Sequence, residues 1–283
     1  MMQDKIKIFT PAKLNMFLKV LGRRFDGYHI IRSGITFIDL FDELEIKKSK
    51  SNKTCVRYIG PFKPKKDIYN DCIILKTLKF LNLDIKVNLE VKITKNIPVQ
   101  AGLGAASSNA AALIQALETM QIVKKKDPKE YVPLGSDIPC FLFQQNCFVT
   151  GIGEILHPQQ FPKYYFLLVK PKSNNSTEDM YKKLKYEIGS YNKNSFTEEI
   201  QINDEDTGND FEKIVFKENT EIKEIIEFLD KLEHALFSRM TGSGSCCYSV
   251  FEKKEHALKA NEFFKSNFSD LWSYVCENNT INN

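Results

Sequence analysis

A strand that runs through a loop of small residues straight into a helix limits what this chain can fold into more than any other feature. Ile85, Val87, Leu89, Val91 and Ile93 alternate with polar neighbours, the period of a half-buried strand. Pro98-Val-Gln-Ala-Gly-Leu-Gly-Ala-Ala-Ser-Ser-Asn109 follows, and residues 110 to 120 continue as a helix. Such a unit belongs to proteins that interleave strands with helices. The rest of the chain agrees. Residues 4 to 21 read as strands around a break at Pro11, and residues 30 to 40 and 44 to 48 as two more. Further strands are expected at 148 to 152, 164 to 169, 247 to 251 and 271 to 276. Helices are expected at 70 to 81, after Asp137 with Pro139 in the first turn, at 174 to 185, 222 to 237 and 257 to 264. Residues 186 to 210 read as a polar connector. The expectation is an α+β chain in two domains, residues 1–154 and 155–283.

Composition narrows the class. The chain is 42% hydrophobic and 27% charged, which supports a sizeable core and excludes a disordered or fibrous protein. A net charge of +4 is too weak a bias to point to nucleic acid. No window of eighteen apolar residues exists, and the N-terminus lacks a secretory apolar stretch, so a cytoplasmic protein is expected. The seven cysteines include no pair at zinc or redox spacing and read as buried free thiols. The four histidines are dispersed, and no metal site built by side chains alone is expected.

The small-residue loop carries the chemistry. Small side chains let the backbone approach a ligand closely. Successive backbone N–H groups and the start of a helix then attract an anion. Ser107 and Ser108 add hydroxyls. No Gly-Lys-Ser/Thr follows, so this is not a Walker loop, and Gly102-x-Gly104 lacks the third glycine of a dinucleotide site. A plain tight turn with a serine or asparagine cap remains the other reading. Thr241-Gly-Ser-Gly-Ser245 is a second glycine loop, alone no more than a turn.

Pro11-Ala-Lys-Leu-Asn-Met-Phe-Leu18, the loop at 101 to 109 and Thr241-Gly-Ser-Gly-Ser-Cys246 occur in the order of the three motifs of the GHMP kinases, which the chain resembles. Arg24-Phe-Asp-Gly-Tyr-His29, Gly135-Ser-Asp-Ile-Pro139 and Gly151-Ile-Gly-Glu-Ile-Leu156 are similar to the branch that acts on a diphosphocytidyl sugar alcohol. A mevalonate-type or homoserine kinase is the rival within the superfamily, and an inactive homologue with a binding role the rival outside catalysis. The chain departs from the pattern at Ala105 and Ala106, where glycines are usual, at Ser136 in place of alanine, and in a shorter stretch from 117 to 135.

The resemblance implies a nucleotide domain like a ribosomal-protein domain, a ferredoxin-like second domain and a substrate cleft between them. It implies ATP with Mg²⁺, and a 2-hydroxyl as phosphoryl acceptor in the non-mevalonate isoprenoid route. Lys13 and Asp137 would be the catalytic pair, although Asp137 also reads as a helix cap. Gly102, Leu103, Gly104, Ser107, Ser108 and Asn109 would wrap the phosphates. Asn70 would line the purine pocket or cap its helix. Asn15 would position the acceptor, and Thr177 would be a further substrate-binding residue. Tyr28, His29 and Tyr181 would hold the cytosine, Tyr181 reading otherwise as a half-buried core residue. A small-molecule partner and a monomer or weak homodimer are expected, with no nucleic acid and no membrane.

Overall fold

The computed structural model describes residues 5–64, 72–187, 189–190 and 208–278. The chain divides into two compact units. One comprises Met1–Ala12, Leu40–Val99 and Gly104–Gln144; the other comprises Lys13–Asp39, Gln100–Leu103 and Gln145–Asn283. Two long strands, β1 (Lys5–Arg23) and β2 (His29–Lys48), contribute residues to both. The sequence pattern splits each of them in two, and the structure does not. Pro11 lies inside β1, which has β2 as its strand partner; a proline is tolerated where the strand's other side carries no ladder. The polar break expected near residue 42 is continuous strand, because Asp42 is buried with its own hydrogen-bond donors.

In the first unit, β3 (Cys55–Ile59) pairs parallel with β4 (Leu89–Thr94), and β4 pairs antiparallel with β2, Leu44 facing Ile93 and Ile46 facing Val91. Helices α1 (Ile73–Phe80) and α2 (Ala105–Thr119) set Ile74, Leu78, Leu113, Ala116 and Leu117 against those strand residues. A short α3 (Ile138–Phe143) completes the unit. The alternation from Ile85 overstates β4. The turn that closes α1 takes the intervening residues, with Leu83 donating its N–H to Leu78 and Val87 its N–H to Leu83, and Ile85 is 88% exposed.

The second unit holds β5 (Cys147–Thr150), β6 (Ile155–Pro158), β7 (Tyr165–Lys170), α4 (Thr177–Lys183), α5 (Glu212–Glu218), α6 (Thr220–Leu229), β8 (Phe237–Met240), β9 (Cys247–Phe251), α7 (Lys254–Asn267) and β10 (Trp272–Glu277). Its four-stranded sheet has the order β10-β7-β9-β8 with every neighbour antiparallel. Ile225 and Leu229 of α6 and Ala257, Ala260 and Phe264 of α7 bury Leu167, Val169 and Phe251. The apolar stripe that predicts one helix from 222 to 237 is divided. The helix ends at Leu229, His234 takes a positive φ of 64°, and Phe237 starts β8. The α+β class expected from the sequence is the class found. None of the seven cysteines is joined in a disulfide; Cys55 is exposed and the other six are buried. Among the described residues no helix is long and apolar enough to cross a membrane.

Candidate active site

In the first unit the site is built on the start of α2. Gly104 is its N-cap, in the left-handed region at φ 72° and ψ 10°, where a glycine is at ease and most residues are strained. No side-chain hydrogen bond caps α2, and the first bond of the helix runs from the Ser108 N–H to the Gly104 carbonyl at 2.9 Å. Such an end presents N–H groups and the positive end of the helix dipole. Ser107 stands half-buried beside the Gly135 turn; a Cβ on Gly135 would lie 3.5 Å from its Oγ. Two residues on, Asp137 is the N-cap of α3, yet its carboxylate makes no capping hydrogen bond. Ser108 and Asn109 are buried. The Asn109 side chain is turned inward, its Oδ1 accepting the Thr10 hydroxyl at 2.8 Å and its Nδ2 donating to Asp42 at 3.3 Å.

In the second unit the two glycine loops meet. Gly102 has φ 73°, and a Cβ there would collide with the Thr241 carbonyl. The Cys246 N–H donates to Ala101, and the Thr241 hydroxyl reaches the Gly102 carbonyl at 3.4 Å. Lys13 runs beside this loop, donating its backbone N–H to Leu103 at 3.0 Å. Lys13 is buried, and its Nζ donates to Asn15 Oδ1 at 2.5 Å. Asn15 is itself fixed: its Nδ2 donates to Ser33 Oγ at 2.8 Å, and its backbone N–H donates to Thr241 Oγ1 at 3.1 Å. Asn209 holds the second loop from behind, with Nδ2 donating to the Met240 and Gly242 carbonyls, each at 2.7 Å. Thr177, at the start of α4, shares a 2.7 Å hydrogen bond with Ser243 of the same loop.

In the second unit His29, Tyr181, Tyr186 and Phe211 form an aromatic cluster. Gly27 (φ 89°) allows a tight turn in which Arg24 donates its N–H to the Tyr28 carbonyl at 2.8 Å. Tyr28 is exposed. The His29 ring lies 5.0 Å from the Tyr181 ring and 6.3 Å from Tyr186. Tyr181 also sets its ring edge to face with Phe211 at 4.9 Å, so it belongs to the core on one side and to the histidine on the other. The His29 Nε2 is buried without a hydrogen-bond partner. Burial first, and the Arg23 charge second, hold its pKa below the ordinary 6.5, so the ring is neutral near pH 7.

The structure thus groups Gly104, Ser107, Ser108, Asn109 and Asp137 in one unit, and Lys13, Asn15, Gly102, Leu103, Tyr28, His29, Thr177 and Tyr181 in the other. Asn70 lies outside the described residues. Asp42, Lys95, Asn209 and Tyr186 escaped the sequence reading. Asp42 and Lys95 sit in apolar strand surroundings where a charge needs a partner, which was the one signal available.

Comparison with known proteins follows the same lines. Residues 72–145 match the family described as GHMP kinases N terminal domain, and residues 192–270 match GHMP kinases C terminal. The chain is similar to the 4-diphosphocytidyl-2-C-methyl-D-erythritol kinase of Wolbachia sp. subsp. Drosophila simulans, at 30% identity over 96% of this chain and 97% of that protein. It is similar to the protein of that name from Anaplasma phagocytophilum, at 32% identity over 96% of this chain and 94% of that protein. The solved structure of a 4-(cytidine 5'-diphospho)-2C-methyl-D-erythritol kinase shares the fold, with a TM-score of 0.73 at 23% identity, over 97% of this chain and 100% of that one.

Proposed function

Because the chain belongs to the GHMP kinases, and among them to the 4-diphosphocytidyl-2-C-methyl-D-erythritol kinases, we propose that it uses ATP to phosphorylate the 2-hydroxyl of 4-diphosphocytidyl-2-C-methyl-D-erythritol. The products are the 2-phosphate and ADP, in the non-mevalonate route to isoprenoid precursors. The observation that carries the reading is the start of α2, a helix N-terminus with a left-handed glycine before it and no side chain capping it. An anion fits there, and the triphosphate is the anion a kinase brings. Mg²⁺ accompanies the ATP, held mainly by phosphate oxygens and water.

Gly102, Leu103, Gly104, Ser107 and Ser108 hold the phosphates in this reading, and Asn109 acts from behind through its buried side chain. Asp137 takes the proton of the acceptor hydroxyl as the phosphoryl group arrives. Its carboxylate stands at the N-cap of α3 without capping that helix. Lys13 polarises the acceptor, with Asn15 aiming its ammonium. Tyr28, His29 and Tyr181 receive the cytosine; the neutral His29 keeps an unpartnered nitrogen for the base edge. Thr177 steadies the Ser243 loop beside the substrate, and Asn70 lines the purine pocket. The nucleotide and substrate domains are residues 1–154 and 155–283, in a cytoplasmic monomer or weak homodimer that binds no nucleic acid.

Turnover and ligand affinity, measured together, test the proposal. Asp137→Asn keeps substrate and ATP binding and lowers kcat by roughly 10²–10⁴, the usual worth of positioned acid–base help. Lys13→Met lowers it in the same way. Wild-type turnover in folded Asp137→Asn rules out the base, and no transfer to the cytidine substrate by the native protein, with transfer to mevalonate or homoserine, moves the chain to another branch.

A further inference from the structure

We infer that Asp42, which the reaction itself does not use, is the positioning residue of the ATP site; the inference rests on the nucleotide reading of the α2 N-terminus. Asp42 comes from β2 and is wholly buried. A buried carboxylate is costly unless every oxygen is satisfied, and this one has four donors. Oδ1 accepts the consecutive backbone N–H groups of Asn96 and Ile97, both at 2.8 Å. Oδ2 accepts the Lys95 ammonium and the Asn109 amide, the latter at 3.3 Å. The Asn109 carbonyl oxygen in turn accepts from Thr10 at 2.8 Å.

The placement of these donors matters more than their number. Asn96 and Ile97 stand where the chain leaves β4 and approaches the small-residue loop; Asn109 stands in the early part of α2, where that loop has ended. One carboxylate therefore pins the chain before the loop and after it. The Lys95 ammonium balances the carboxylate's charge. Fixing both ends spares the ligand the entropy of ordering the segment, which raises affinity without a contact to the ligand. The group acts on the ATP side alone: the aromatic cluster around His29 shares no residue with this network.

The test compares Asp42→Asn with the double variant Asp42→Asn/Lys95→Met, reading the affinities for ATP and for CDP by calorimetry and the thermal midpoint. Asp42→Asn leaves a buried ammonium uncompensated and lowers the midpoint. The double variant removes both charges and recovers most of it. In both, ATP affinity falls by roughly 10–100-fold, as for loss of hydrogen bonds to a charged group, and CDP affinity stays as in the native protein. Thr10→Val keeps both charges and loosens only Asn109; it weakens ATP by a few-fold and decides the matter if neither Asp42 variant folds. Native ATP affinity in the folded variants overturns the inference, and so does a parallel loss of ATP and CDP binding, which marks a merely structural pair. Failure of the native protein to bind ATP overturns the nucleotide reading instead.

Discussion

At the scale of the residue, two positions bind chemistry to backbone most tightly. Gly102 combines a positive φ with a site where any Cβ meets the Thr241 carbonyl. Gly102→Ala is expected to push the two loops apart and to raise the KM for ATP at least tenfold, on the order of 1.4 kcal/mol, while the protein stays folded; an unchanged KM removes the loop from the nucleotide site. His29 sets a pH dependence whose sign follows from its depressed pKa. Well above pH 6.5 neither the folded nor the unfolded chain protonates it, and its contribution to stability is constant. Below pH 6.5 the unfolded chain takes up the proton first, so stability falls with pH until the folded value is passed. His29→Phe keeps a ring against Tyr181 and is expected to flatten that part of the stability curve. Equal slopes for the two proteins in urea titrations below pH 6.5 contradict the assignment.

Elements show where sequence reading succeeds and where it stops. Strands β7, β9 and β10 and helices α4 and α7 were legible because each pattern sits within a single element; in the fold Ser176 caps α4 by accepting the Asp179 N–H. The long β1 and β2 were not, because Pro11 and Asp42 look like breaks until their surroundings are known. Helix α5 is short and buries Val215 alone among its own residues, too little amphipathy to register. At the site, the glycines and Lys13 announced themselves by motif. Asp42 showed only as a charge in an apolar strand and Asn209 not at all, since the meaning of a buried acid or amide lies in partners far along the chain. The loop between β8 and β9 illustrates this, being held by Asn209 from outside. Asn209→Ala leaves the Met240 and Gly242 carbonyls and the Phe211 N–H without this partner. A loss of about 1–3 kcal/mol in denaturant unfolding is expected, the cost of unsatisfied buried groups, together with weaker ATP binding. A stability within experimental error of the native protein refutes that account.

At the scale of the whole molecule, the described residues include a hydrophobic core in each unit, and the residues of the two cores do not overlap. Leu113→Ala in the first and Leu229→Ala in the second are each expected to cost about 2–5 kcal/mol. Hydrogen exchange distinguishes them: the first variant loses protection in α1, α2 and β4, the second in α6, α7 and β9. Identical protection loss across both units in the two variants shows a single cooperative core instead. The contact between the glycine loops also sets an order of events during synthesis. Gly102 and Thr241 are 139 positions apart. The ribosome releases the first loop long before its partner, and closure over so long a stretch of chain is slow. A growing chain therefore carries the Gly102 loop without its partner until β8 and β9 have been made and paired.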